Sequence, residues 1–160
     1  MSRLILVGAA VAIVAGCTTV APPSLVSPLD LWSEPESQLL PLGSEVLDKR
    51  EGYAGQTIEG TNTASVGLLI ASQDSPAEVD AFYETELGSR GWHTPTDLEA
   101  IGLRIRTTTE LSARSWRKGD LVFRLGILDM TDPFAEGPSE GYATVYRISL
   151  VDRPPKPKGS

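Results

Sequence analysis

Few residues in this chain have the type and spacing to do chemistry. Among its 160 residues there is one cysteine, Cys17, and one histidine, His93. A lone cysteine makes neither an internal disulfide nor a cysteine metal cluster, and a lone histidine cannot supply a two-histidine metal site. The histidine is expected in a surface turn. Asp129, Asp132, Glu136 and Glu140 could offer carboxylate oxygens to calcium. Their spacing is not that of a twelve-residue calcium loop, and Pro133 and Pro138 restrict the segment, so a solvated loop is expected. No nucleophile, base and orienting group can be assembled, which predicts a chain that is not an enzyme and needs no cofactor.

The basic residues are distributed unevenly. Arg104, Arg106, Arg114, Arg117, Lys118 and Arg124 crowd into one stretch of an otherwise acidic chain. If Arg104, Arg106, Arg114 and Arg124 share a face, they form a patch able to receive a carboxylate or phosphate of an envelope polymer. The competing expectation is a solvated sheet face balanced by nearby acids. Trp92, Trp116, Tyr142 and Tyr146 could line a ligand cleft, although such aromatics more often fill a core.

The N-terminus explains Cys17. Arg3 is followed by an unbroken run of apolar or small residues from Leu4 to Gly16. Thirteen residues at about 1.5 Å each fall short of a hydrocarbon core of roughly 30 Å, which favours a secretory signal over a transmembrane helix. Val14-Ala15-Gly16-Cys17 resembles the lipobox of bacterial lipoproteins. That resemblance implies a diacylglyceryl group on the Cys17 thiol, cleavage between Gly16 and Cys17, and a domain held outside the cytoplasm on the cell membrane. The residue types suit the chemistry: Ala15 and Gly16 let extended backbone enter a protease cleft, and a thiol is nucleophilic enough to form a thioether. Two or more acyl chains, at about 0.8 kcal/mol per buried methylene, make a stable anchor.

The chain carries 14 basic and 21 acidic residues, a net charge of −7, and loss of Arg3 with residues 1–16 makes the remainder more acidic by one. Such a charge argues against nucleic acid and against electrostatic attachment to anionic lipid, so the acyl chains must do the anchoring. Residues 17–43 hold five prolines and several serines without sustained apolar period, and are expected to form a flexible tether. A flexible chain of that length spans roughly 25 to 30 Å on average. Leu29, Leu31, Trp32, Leu39 and Leu40 are apolar for a linker, which predicts either packing back onto the domain or a docking segment for a partner. Residues 44–151 are expected to be a single domain and 152–160, with three prolines, a disordered tail.

Within the domain the strongest local signal is a helix from Pro76 to Arg90. Ser75, Pro76 and Glu78 read as N-cap, first helical residue and capping-box partner. Val79, Phe82, Tyr83 and Leu87 recur on one helical face, and Gly91 is placed to reverse the chain. Strands are expected at Ser44–Arg50, Ala64–Ser72, Leu103–Thr108, Ala113–Arg117, Leu121–Asp129 and Tyr142–Leu150, with 51–62 as a glycine-rich loop. The expected class is α+β, one main helix packed on a mainly antiparallel sheet of about five strands.

Phe82-Tyr83, Leu87 and Gly91-Trp92 are spaced F-Y-x3-L-x3-G-W, which resembles a pattern in small, largely actinobacterial lipoproteins of unassigned activity. The resemblance covers eleven residues and concerns folding rather than chemistry. Together these features predict a lipid-anchored, non-enzymatic interaction module for an envelope protein or polymer. The alternative is a small-ligand or sensor domain with a pocket between helix and sheet near Trp92 and Trp116.

Overall fold

A computed structural model describes residues 26–53, 55–57, 60–96, 109–132 and 141–153. The elements in chain order are helix α1 (Pro28–Ser33), a short 3-10 helix (Pro35–Gln38), β1 (Glu45–Gly52), β2 (Gly55–Thr57), β3 (Gly60–Asn62), β4 (Ser65–Ser72), α2 (Pro76–Ser89), β5 (Glu110–Lys118), β6 (Leu121–Leu128) and β7 (Thr144–Asp152). Five strands form one antiparallel sheet in the order β1-β4-β7-β6-β5, while β2 and β3 pair as a separate small hairpin. The fold is therefore α+β, as the patterning predicts. The glycine-rich stretch expected to be a loop contains that small hairpin, and β7 runs to Asp152, the first residue of the expected tail. The strand expected at Leu103–Thr108 lies outside the described residues.

Helix α2 begins as its capping residues dictate. The Ser75 side chain accepts from the Glu78 backbone N–H, and the Glu78 carboxylate accepts from the Ser75 backbone N–H at 2.8 Å. The helix ends on Gly91 at φ 82°, a left-handed conformation that a side chain would oppose, and the Trp92 N–H turns back to the Leu87 carbonyl at 3.0 Å. Val79, Tyr83 and Leu87 are fully buried, whereas Phe82 sits at the margin of the core.

Period-two alternation then divides the sheet into two faces. The face beneath α2 carries Val66, Leu68 and Ile70 from β4, Tyr146, Ile148 and Leu150 from β7, and Phe123, Leu125 and Ile127 from β6, paired in register. Phe123 is the hub of an aromatic cluster, with Tyr83, Trp92 and Trp116 rings centred 5.4, 6.2 and 6.2 Å away. The outer face carries a smaller apolar group, Leu69, Ala71, Leu128 and Val145.

Residues 26–43 differ from the expected tether. Ser27, Pro28 and Asp30 repeat the capping pattern of α2, with the Asp30 carboxylate 2.9 Å from the Ser27 N–H, and they start α1. Leu31 is 1% exposed and joins the main core, and Trp32, Leu39 and Leu40 pack against it. Helix α1 lies against β4 and β7, and the 3-10 helix against β7. The Tyr83 hydroxyl donates to the Leu39 carbonyl at 2.9 Å, joining this strap to α2. The reason is area: one fourteen-residue helix leaves part of a five-stranded face bare, and burial of each large apolar side chain contributes about 1.5–3 kcal/mol. Ser27→Ala and Ser75→Ala should each cost about 1 kcal/mol in urea denaturation; a zero effect for Ser27→Ala would mean that α1 does not depend on its cap.

Candidate functional site

The structure divides the expected basic patch. Arg114 pairs with Leu125 in the sheet and so lies on the helix side, whereas Arg124 pairs with Ser115 and lies on the outer face. Arg114 is bound to α2: its guanidinium reaches Asp80 at 2.6 Å, contacts Glu84 closely and sits 5.0 Å over the Trp116 ring. Arg124 reaches Glu110 at 2.5 Å, the carboxylate being fully buried and the arginine side chain 14% exposed. These two arginines cannot form one surface, because adjacent positions on a strand project to opposite faces. Arg104 and Arg106, like Gly16 and Cys17, lie outside the described residues.

Trp92 and Trp116 do not line a cleft. They are 4% and 1% exposed, packed edge-on against Phe123, and each indole N–H is satisfied by a carboxylate, Glu36 at 3.1 Å and Glu84 at 3.2 Å. The space where the alternative reading places a ligand pocket is filled by side chains. Tyr146 is also core, while Tyr142 is partly exposed and donates to Glu45. His93 is exposed and pairs with Arg117 through two backbone hydrogen bonds, extending the β5 edge. Asp129 is occupied by the Thr131 N–H and hydroxyl, which hold its carboxyl below the usual range, and Glu136 and Glu140 lie outside the described residues. Among the described residues no group of three or more histidine, cysteine or acidic side chains is placed to hold a metal.

Glu36 is a polar contact that patterning misses. It is 4% exposed, accepts from Trp92 and lies 3.6 Å from the Lys118 ammonium, so the strap, the turn after α2 and the β5–β6 hairpin meet on one carboxylate. Burial pushes its carboxyl up, but the Trp92 hydrogen bond, its own backbone N–H and the charges of Lys118 and Arg90 outweigh this and hold it below the ordinary value of 4.5. A carboxyl depressed by folding stabilises the native state above its unfolded value, and that stability is lost as pH falls through the folded value. Stability of the chain should therefore fall more steeply below pH 4.5 than that of Glu36→Gln, as compared by thermal midpoints across the acid range. Parallel curves would show that Glu36 makes no such contribution.

The outer face holds the most ligand-like geometry. Across β1, β4, β7, β6 and β5 the register aligns Arg50, Gly67, Ser149, Arg124 and Ser115 in one row, with Asp48, Leu69, Arg147, Gly126 and Ala113 in the next. Small residues at the centre and long side chains beside them leave a shallow concavity of about 180 Å³, whose lining includes Arg50, Arg147, Glu51, Ser65, Ser149 and Gly67. Arg50 is half exposed and held by Asp48 at 2.9 Å, and that contact, with burial opposing it and the charge of Arg147 adding to it, keeps the Asp48 carboxyl below its usual range. Arg50, Arg147, Ser65 and Ser149 were not singled out from the sequence. Alternation in β7 does place Arg147 and Ser149 opposite Tyr146 and Ile148, but the strand order that brings Arg50 near them is not a property of any one segment.

Comparison with known proteins finds no matching family, no matching curated protein and no matching solved structure.

Proposed function

We propose that this chain is a lipid-anchored lipoprotein of the cell envelope, and that its domain is a non-enzymatic interaction module working through the outer face of the sheet. The observation that carries the reading is the asymmetry of the two faces. The helix side is filled by α2 and the strap, whereas the outer face presents a concavity beside arginines. Anchoring rests on Val14-Ala15-Gly16-Cys17, and no helix among the described residues is long and apolar enough to cross a membrane.

Packing of the strap changes the expected geometry at the membrane. Only the chain from Cys17 to Val26 separates the proposed lipid site from the first described residue. Whatever its conformation, nine residues reach at most about 30 Å. A tether of 26 residues would reach about three times as far when extended. The module therefore works close to the lipid surface.

Cys17→Ala should yield a protein that is unprocessed or released from membranes; a normally processed, membrane-bound product would overturn the anchor. A photo-crosslinking side chain at Ser149 should capture an envelope component in intact cells, with none captured from Thr85 on the exposed side of α2. Equal capture from both positions would count against the outer face.

A further inference from the structure

We propose that an exposed apolar group, Leu29, Trp32 and Tyr53, docks into the headgroup layer of the bilayer that holds the Cys17 lipid. The inference rests on the lipid anchor of the proposed function and adds how the domain sits on the membrane. Leu29 and Trp32 are three residues apart in α1 and so share one side of that helix. The Trp32 indole N–H donates to Glu51 Oε1 at 2.7 Å, and the Tyr53 hydroxyl donates to Glu51 Oε2 at 3.0 Å. The two aromatic side chains are therefore gathered around one carboxylate near the end of β1. Leu29 is 78% exposed and Tyr53 70%. Trp32 is half-buried against the core, and it lines an open hollow of about 570 Å³ with Gln38, Lys49 and Glu51.

Chain length and residue type select a bilayer as the occupant. Val26, nine residues from Cys17, lies three residues before Leu29, so the group stands where the anchored chain meets the domain. Nine residues reach at most about 30 Å, which keeps the group at a high effective concentration against the lipid surface, so weak contacts suffice. Trp and Tyr favour that interface, with the ring among apolar groups and the polar edge toward water, and leucine supplies an inserting side chain. Charge does not drive the contact, since Asp30 and Glu51 flank the group as well as Lys49, in a chain whose net charge is −7. Leu42 is as exposed, but it precedes the opposite end of β1, roughly 25 Å away for eight residues at about 3.3 Å each.

The test is tryptophan fluorescence of the full processed chain reconstituted in phosphatidylcholine vesicles whose acyl chains carry bromine near the headgroup. Trp92 and Trp116 are 4% and 1% exposed, so Trp32 is the one tryptophan of the three within reach of the quencher. Quenching is expected in the parent and absent in Trp32→Phe. Leu29→Ser combined with Tyr53→Ser should reduce it about twofold or more, because the inserting side chains are lost. Both residues are exposed, so this double variant keeps the fold, as its thermal midpoint checks. Leu42→Ser should quench as the parent does, and an equal reduction there would overturn the assigned group. High salt should leave quenching intact, and its loss in salt would overturn an apolar contact. Sedimentation with the vesicles reads the anchor separately. A chain left in the supernatant would overturn the anchor and the docking with it. A chain that sediments, but quenches no more than Trp32→Phe or no more than the double variant, would overturn the docking alone.

Discussion

Glu110→Ala is expected to destabilise the domain by about 3–5 kcal/mol, the loss associated with removing one partner of a buried ion pair. Glu110 is fully buried on the outer face, and its partner Arg124 has a side chain 14% exposed. Without the carboxylate, the guanidinium is left with little access to water. The pair fits only because position 126 is glycine: a Cβ there would stand 2.3 Å from the Glu110 Oε1 atom. Gly126→Ala should therefore displace Glu110 and reproduce part of the loss. Glu110→Leu combined with Arg124→Met removes both charges and should recover most of the stability, since apolar replacement of a buried pair is often neutral or better. Urea denaturation of the single and double variants measures this. A loss under about 1 kcal/mol in Glu110→Ala would mean that the pair behaves as an exposed one.

Removal of residues 26–43 should abolish cooperative unfolding, and Leu31→Ala alone should cost about 2–5 kcal/mol. Leu31 belongs to the same core as Val66, Leu68 and Ile148, and removing the strap would expose that part of the helix-side face. It would also leave Trp92 without its Glu36 acceptor and Tyr83 without the Leu39 carbonyl. Tyr83→Phe should cost about 1 kcal/mol by the second route alone. An unchanged denaturation midpoint for the chain lacking 26–43 would show the strap to be peripheral. The result matters for function because the strap's place in the core is what shortens the reach from Cys17.

Part of the strap could have been read from its residues. Ser27-Pro28-Leu29-Asp30 has the same cap, proline and acidic partner as Ser75-Pro76-Ala77-Glu78. A helix of six residues has no room for an apolar period, and five prolines nearby obscure it. The helix α2 was legible because cap, period and left-handed glycine all lie within seventeen residues, Ser75 to Gly91. Strands β6 and β7 were legible from alternation and β4 from its run of apolar residues, to within two residues at most of their ends. The candidate site was less so. Arg114 and Arg124 look like neighbours in composition, but the register of β5 against β6 sends them to opposite faces.

By itself the sequence determined the features that depend on short stretches of chain: the lipobox-like residues before Cys17, the capped helix, the alternating strands and hence the α+β class. Tertiary structure alone decided which cations meet. Arg50 and Arg147 are nearly a hundred residues apart, and they flank one concavity only because β4 inserts between β1 and β7. It also decided that Trp92 and Trp116 fill a core and that residues 26–43 belong to it. Local pattern reports the face on which a side chain projects, while the partner across that face is set by strand order and register, which are chosen by burial over the whole sheet.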